Sequence, residues 1–164
     1  MDNYIVINGK RAELTEEQLE KLGIKVEKKP VFTRTIDHVY YYITPSGGIS
    51  CSLDDNDDYD NKAYENVNYF NDRDFAQQVA WHELLNRKLL KYAYDHDAAD
   101  CDWDKSQEKK FYITRGNGTK NFYVDWAYNL KNGGDVYFNN EEVAKKVVID
   151  VVIPFMVKYP DFVW

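Results

Sequence analysis

Val39-Tyr40-Tyr41-Tyr42-Ile43-Thr44 and, seventy positions after Tyr41, Phe111-Tyr112-Ile113-Thr114 are the two stretches on which the reading of this chain turns. In the first, Val39, Tyr41 and Ile43 alternate with Tyr40, Tyr42 and Thr44, and a period of two describes a half-buried strand. Outward from each stretch the same features recur in the same order. Pro45-Ser46-Gly47-Gly48 and Gly116-Asn117-Gly118 are turn signals, and return strands follow at Ile49–Leu53 and at 122–126. Asn68-Tyr69-Phe70-Asn71 then corresponds to Val136-Tyr137-Phe138-Asn139, each ending a third strand, and Ala76 and Val79 fall in line with Ala144 and Val147. Matching order and spacing imply an internal repeat.

The expected fold class is therefore α+β, antiparallel sheets with packed helices. An N-terminal hairpin and helix over 1–29 would precede one β-β-β-α unit over 36–94 and a second over 108–164, all able to share one compact domain. In the N-terminal piece, Tyr4-Ile5-Val6-Ile7 is a β-branched strand. Asn8-Gly9 supplies the positive φ of a tight hairpin, and 10–14 returns. Thr15 and Gln18 have capping-box spacing, Leu19 and Leu22 share a helix face, Gly23 is a stop, and 25–30 is a charged linker.

Asn71 and Asn139 are placed to cap the two repeat helices, with Asp74 and Glu142 in the first turns where negative charge suits the dipole. The first helix carries Phe75, Val79, His82, Leu85, Leu89 and Ala93 on one face, which makes His82 a core histidine. The second is apolar almost all round (Val143, Val147, Val148, Val151, Val152, Ile153), the pattern of a central or interface helix. Pro154 should end or kink it, and Phe155, Tyr159, Phe162 and Trp164 should fold the tail back.

The net charge of −7 opposes binding to phosphate backbones and suits a basic partner. No basic-then-apolar leader opens the chain, and the longest apolar stretch, 147–157, is broken by Asp150 and Pro154, too short for a bilayer. Cys51 and Cys101 form no C-x-x-C pair. The expected location is the cytoplasm, without membrane contact.

Ten of the 28 acidic residues lie in two short runs. The first is Asp54-Asp55-Asn56-Asp57-Asp58-Tyr59-Asp60. Asp54, Asn56, Asp58, Asp60 and Glu65 have the spacing of a calcium loop, but Tyr59 stands where an EF-hand needs Gly, and strands flank the run instead of helices. A solvated acidic loop is the commoner fate of such a stretch. The second run holds Asp95, Asp97, Asp100, Asp102 and Asp104 with His96, Cys101 and Trp103 among them. It lacks structural-zinc spacing, and Asp100 and Asp102 beside Cys101 disfavour a reactive thiolate. No nucleotide-binding, nucleophile-elbow or zincin motif occurs. The outward stripe Tyr40, Tyr42 and Tyr112 could stack bases, although tyrosines at such positions more often face another layer of their own protein.

Two aspartate runs studded with Tyr59, Tyr64 and Trp103 could form one negative surface, with carboxylates giving fast association and aromatic rings anchoring it. The expected partner-binding residues are Asp54, Asp55, Asp57, Asp58, Tyr59, Asp60, Asp95, Asp97, Asp100, Asp102, Trp103 and Asp104, with no catalytic, metal or cofactor site.

The opening Tyr4-Ile5-Val6-Ile7-Asn8-Gly9-Lys10 with Leu14-Thr15-Glu16-Glu17-Gln18, the Tyr40-Tyr41-Tyr42-Ile43 strand and the Asn68-Tyr69-Phe70 junction before Phe75-Ala76 resemble small phage and prophage proteins of Gram-positive bacteria. That resemblance implies an accessory anti-defence role, including the anti-CRISPR kind: a non-enzymatic inhibitor in the bacterial host cytoplasm that fills the nucleic-acid groove of a Cas nuclease by local mimicry. The alternative is a phage assembly module that oligomerises through its apolar C-terminal helix. An enzyme using the two carboxylate clusters with Mg²⁺ or Mn²⁺ is a third reading.

Overall fold

The computed structural model describes residues 4–7, 10–23, 30–116, 121–129 and 131–164, and its fold is α+β. Strand β1 (Tyr4–Ile7) pairs antiparallel with β2 (Lys10–Glu13). The Asn8-Gly9 turn, most of the charged linker and the turn at 117–118 lie outside the described residues. Helix α1 (Glu16–Lys21) opens on the expected reciprocal cap: Thr15 N–H donates to Gln18 Oε1 at 2.8 Å and Gln18 N–H to Thr15 Oγ1 at 3.3 Å. Leu19 is buried, but Leu22 is exposed, and Gly23 has the positive φ of a helix stop.

Strands β3 (Val39–Ile43) and β4 (Ile49–Leu53) pair from Val39↔Leu53 to Ile43↔Ile49. Gly47, at φ +84, turns the chain between them. A helix follows where a loop was expected: α2 (Asp58–Glu65) occupies the second half of the first aspartate run. The chain then touches β3 through one bridge, Tyr41 and Phe70 exchanging N–H···O bonds of 2.8 Å each. The third strand of this unit is thus a single residue pair. The long helix α3 (Arg73–Asp95) comes next.

Strands β5 (Lys110–Arg115) and β6 (Phe122–Ala127) pair from Lys110↔Ala127 to Arg115↔Phe122, and Phe111 bridges Phe138 by the same two 2.8 Å bonds. Helix α4 (Glu141–Val147) runs into a π-helical turn, Val148–Val152, and then α5 (Ile153–Lys158). The expected disturbance at Pro154 takes this form. Proline has no N–H to give and its ring crowds the preceding turn, so the backbone widens there, with Ile153 N–H reaching Val148 O.

Helices α3 and α4 both start one residue later than expected. Asp72 Oδ1 accepts from Phe75 N–H at 2.9 Å, and Asn140 Oδ1 accepts from Glu142 and Val143 N–H. Asn71 and Asn139 pin neighbouring chain instead. Asn71 N–H donates to Val31 O while its Oδ1 accepts from Thr33 N–H; Asn139 N–H donates to Ala98 O and its amide reaches Asp97 and Asp100 carbonyls.

Helices α2 and α3 end alike. Asn68 N–H reaches back to Ala63 O and Val67 N–H to Tyr64 O; Ala98 N–H reaches Ala93 O and Asp97 N–H reaches Tyr94 O. This is a Schellman closure, which places one residue in the left-handed region, normally Gly. Here that residue is Val67 (φ 55) or Asp97 (φ 52).

The larger core joins Leu85, Leu89 and Ala93 of α3 to Val136 and Phe138, Ala144 and Val147 of α4, Val152, Phe155 and Phe162. The tail therefore folds back as expected. Gln78 clasps it, donating to Asp161 O at 2.7 Å and accepting from Val163 N–H at 3.0 Å. A smaller core holds Tyr40, Ala63 and Tyr69, the two rings stacked 4.1 Å apart. Tyr40 is fully buried, so it does not belong to an outward stripe. His82 is exposed, with its ring edge-on to Phe162, and does not sit in the core.

Candidate functional site

The first aspartate run is split between interior and surface. Asp54 follows β4 and is 0% exposed. Arg34 donates to it twice, from Nε at 2.8 Å and Nη2 at 3.0 Å, and Tyr69 Oη and Asn56 N–H add bonds of 3.1 and 3.0 Å. These donors, Arg34 foremost, hold its pKa below the ordinary aspartate value against the opposing effect of burial. Arg34 also reaches Asn61 and Asn56.

Asp60 is 2% exposed and makes the second half of the knot. Burial works against its ionisation, but bonds from Tyr40 Oη at 2.8 Å and from the Asp57 and Asp55 N–H groups outweigh it, and its pKa is lowered. Asp57 caps α2, accepting from Asp60 N–H at 2.8 Å while Asp60 accepts from Asp57 N–H, a reciprocal box. Burial, with Asp60 alongside, raises the Tyr40 pKa, and burial likewise raises that of Tyr69.

This arrangement corrects the expected site. A carboxylate buried in a polar network must be satisfied from within, so Asp54 and Asp60 are spent on their own arginine and tyrosines and cannot meet a partner. Carboxylate oxygens of Asp55, Asp57 and Asp60 lie within 4.8 Å of one another. Both Asp60 oxygens are already hydrogen-bonded, which fits a helix cap. The residues left facing out are Asp55, Asp57, Asp58 and Tyr59, with Tyr64 nearby on α2. The Asp55 pKa is raised, first by its hydrogen bond with Asp60. Tyr59 stands edge-on to Tyr42 at 5.6 Å, and burial, then Tyr42, pushes its pKa up to about 12.

The second run is exposed but partly neutralised. Asp95 pairs with Lys91 one turn earlier on α3, and Asp102 pairs with Lys105 at 3.7 Å while its Oδ1 accepts from Asp104 N–H. Asp97 occupies the left-handed closing position of α3, and Asp100 offers its carbonyl to Asn139. Trp103 is half-buried, edge-on to Tyr137 at 4.9 Å, with the Lys110 and Lys131 ammonium groups each 5.6 Å from its ring. Cys101 has its pKa raised, chiefly by burial.

Among the described residues no hydrogen bond, ion pair or ring contact joins the run at 54–60 to that at 95–104. What the sequence missed is Arg34. A lone arginine between Thr33 and Thr35, twenty positions before its partner, carries no periodic signal.

Compared with protein-family models, curated proteins and solved structures, the chain matches none. No helix among the described residues is long and apolar enough to cross a membrane.

Proposed function

We propose that the protein is a non-enzymatic binding protein whose α2 surface docks on a basic protein partner. The proposed role is a phage-type inhibitor that occupies the nucleic-acid groove of a bacterial defence nuclease of the Cas kind, binding no nucleic acid itself. One observation carries the reading: Asp57, Asp58 and Tyr59 are exposed on a turn and helix start that the buried Asp54–Arg34 and Asp60–Tyr40 contacts hold rigid. A preordered segment loses little freedom on docking, and its carboxylates are spaced without help from the partner. Charge speeds association while Tyr59 and Tyr64 supply contact area. The second run contributes Asp97, Asp100 and Asp104, whose carboxylates make no ion pair among the described residues.

The test is a triple variant, Asp57→Asn, Asp58→Asn and Tyr59→Ala, in which the amide at 57 keeps an oxygen for the Asp60 N–H and the Asp54–Arg34 and Asp60–Tyr40 partners are unchanged. Binding to a purified Cas9-type nuclease should weaken more than about tenfold, and the wild-type affinity should fall steeply with added salt. Binding that survives the triple substitution, or no binding at all, sinks the proposal.

The duplicated β-β-β-α scaffold is proposed with it, supported by the matching Tyr41–Phe70 and Phe111–Phe138 bridges and by the equivalent Asn71 and Asn139 contacts. A second reading, a phage assembly module, is favoured by Ile149, Ile153 and Val157, which lie four residues apart along the C-terminal helical stretch and are 65%, 48% and 77% exposed. Sedimentation separates the two: a stable oligomer that an Ile153→Asp variant disperses supports assembly.

A further inference from the structure

A cavity of about 360 Å³ opens between α3, β5, the chain at 134–136 and the C-terminal tail, and no residue of the two aspartate runs lines it. Its floor is apolar, built from Leu85 and Leu89 of α3, Ile113 of β5 and Val136, with Phe162 as an aromatic wall. Glu83, Asn86 and Asp135 also line the cavity, Glu83 and Asp135 as exposed residues. The walls are fixed. Gln78 ties the tail on both sides of Phe162, Phe122 packs edge-on to Trp164 at 4.8 Å, and Val136 and Phe162 are themselves buried in the main core.

Tyr112 donates toward Asp125 Oδ2 at 3.4 Å, and its pKa is raised by burial, then by Asp125, with Asp135 acting in the same direction. Asp135 forms no ion pair among the described residues. Among the described residues Glu83 pairs with Arg87 alone, at 3.4 Å with both side chains about half exposed, a pairing that an incoming cation displaces at small cost. His82 sits at the opening with its ring on Phe162.

We propose that this cavity is a binding site for a planar organic cation, an amidinium or guanidinium on a small apolar body. The flat body lies on the Leu85, Leu89 and Phe162 surfaces, and the cation is held between Glu83 and Asp135. Cavities of this size with an apolar lining and a few converging polar groups are the usual form of small-ligand sites. A carboxylate meets a guanidinium or amidinium through two parallel N–H···O bonds, which a point-charge ammonium cannot match, and the aromatic wall adds cation–π attraction. Anions are excluded by the same carboxylates. The source of the cation is either a free small molecule or an arginine side chain of another protein.

The experiment uses the full chain and NMR titration with benzamidine, with neutral benzamide as its near-isostere, following the methyl groups of Leu85, Leu89, Ile113 and Val136. Benzamidine should shift these methyls and bind at least about tenfold more tightly than benzamide. Glu83→Gln with Asp135→Asn, both exposed and harmless to folding, should erase that preference, whereas Asp57→Asn with Asp58→Asn should leave it. A capped Ala-Arg-Ala peptide distinguishes the sources: tighter binding than benzamidine assigns the cation to a protein, weaker binding to a free molecule. Equal binding of benzamide and benzamidine, a preference that survives the double substitution, or no methyl shift with any probe overturns the proposal. None of these outcomes depends on the α2 surface, so this site and that one stand or fall separately.

Discussion

Replacing Asp54 by Asn changes one atom of a side chain that no solvent touches. Four donors converge on its two oxygens: Arg34 Nη2 and Asn56 N–H on one, Arg34 Nε and Tyr69 Oη on the other. An amide offers one oxygen and one NH₂, so whichever way it lies, at least one Arg34 N–H faces a donor. The negative charge opposite Arg34 is lost as well. Removing one partner of a buried pair costs about 3–5 kcal/mol. In a domain of this size each kcal/mol moves the melting temperature by roughly 2–4 °C, which gives a fall of roughly 6 to 20 °C. Calorimetry at pH 7 measures it, with Asp58→Asn, an exposed neighbour, as the control expected to stay within about 0.5 kcal/mol of the parent. Should Asp54→Asn melt within about 2 °C of the parent, or no lower than Asp58→Asn, the knot contributes nothing and the segment is a solvated loop after all.

Acid should act through the same groups. The folded pKa values of Asp54 and Asp60 lie below the unfolded value, so their contribution is complete above the ordinary aspartate pKa of 3.8 and is lost as pH falls through the depressed values. Urea midpoints measured from pH 6 downward should therefore drop below about pH 4, and less so in the Asp54→Asn variant. Val67→Gly should raise stability by about 1 kcal/mol, because a β-branched residue holds the left-handed closing position of α2; a lower melting temperature refutes the strain argument. Tyr40→Phe should cost about 1–2 kcal/mol by leaving a buried Asp60 oxygen short of its donor, as a chemical denaturation curve would report. Gln78→Ala should speed amide exchange at Val163 by releasing the clasp on the tail, while exchange in α4 stays slow.

The parts of the fold that could be read in advance are those written locally. Alternation at 39–43 and the Gly-rich turn gave β3 and β4, Thr15 and Gln18 gave a cap, and Phe155 and Phe162 gave a returning tail. The helix caps were misplaced by one residue because Asn71 is followed by Asp72, and Asn139 by Asn140; two adjacent residues can both cap, and packing chooses. Tyr40 and Tyr42 have the same chemistry in sequence, yet one is sealed under Tyr69 and the other is half open. Helix α2 was hidden because aspartates at 54–60 give no apolar period, its stability coming from Asp57 and Asp60 capping each other and from Ala63 beneath Tyr69. The site misled for the same reason. A run of acids reads as solvent-facing until the arginine that claims one of them is known, and that arginine lies far up the chain.

Helix α3, 23 residues and about 35 Å long, meets two unlike surroundings. It touches β3 and β4, beside a small core wired with charges and phenols, and its Leu85, Leu89 and Ala93 are set in hydrocarbon. Vinegar-strength acid disconnects the wiring and leaves the grease indifferent. Such a molecule should come apart from one end, with hydrogen exchange at pH 3 quickening in residues 39–70 while the stretch from Leu85 through Phe155 stays closed. Acid below about pH 4 would dismantle the proposed docking face first.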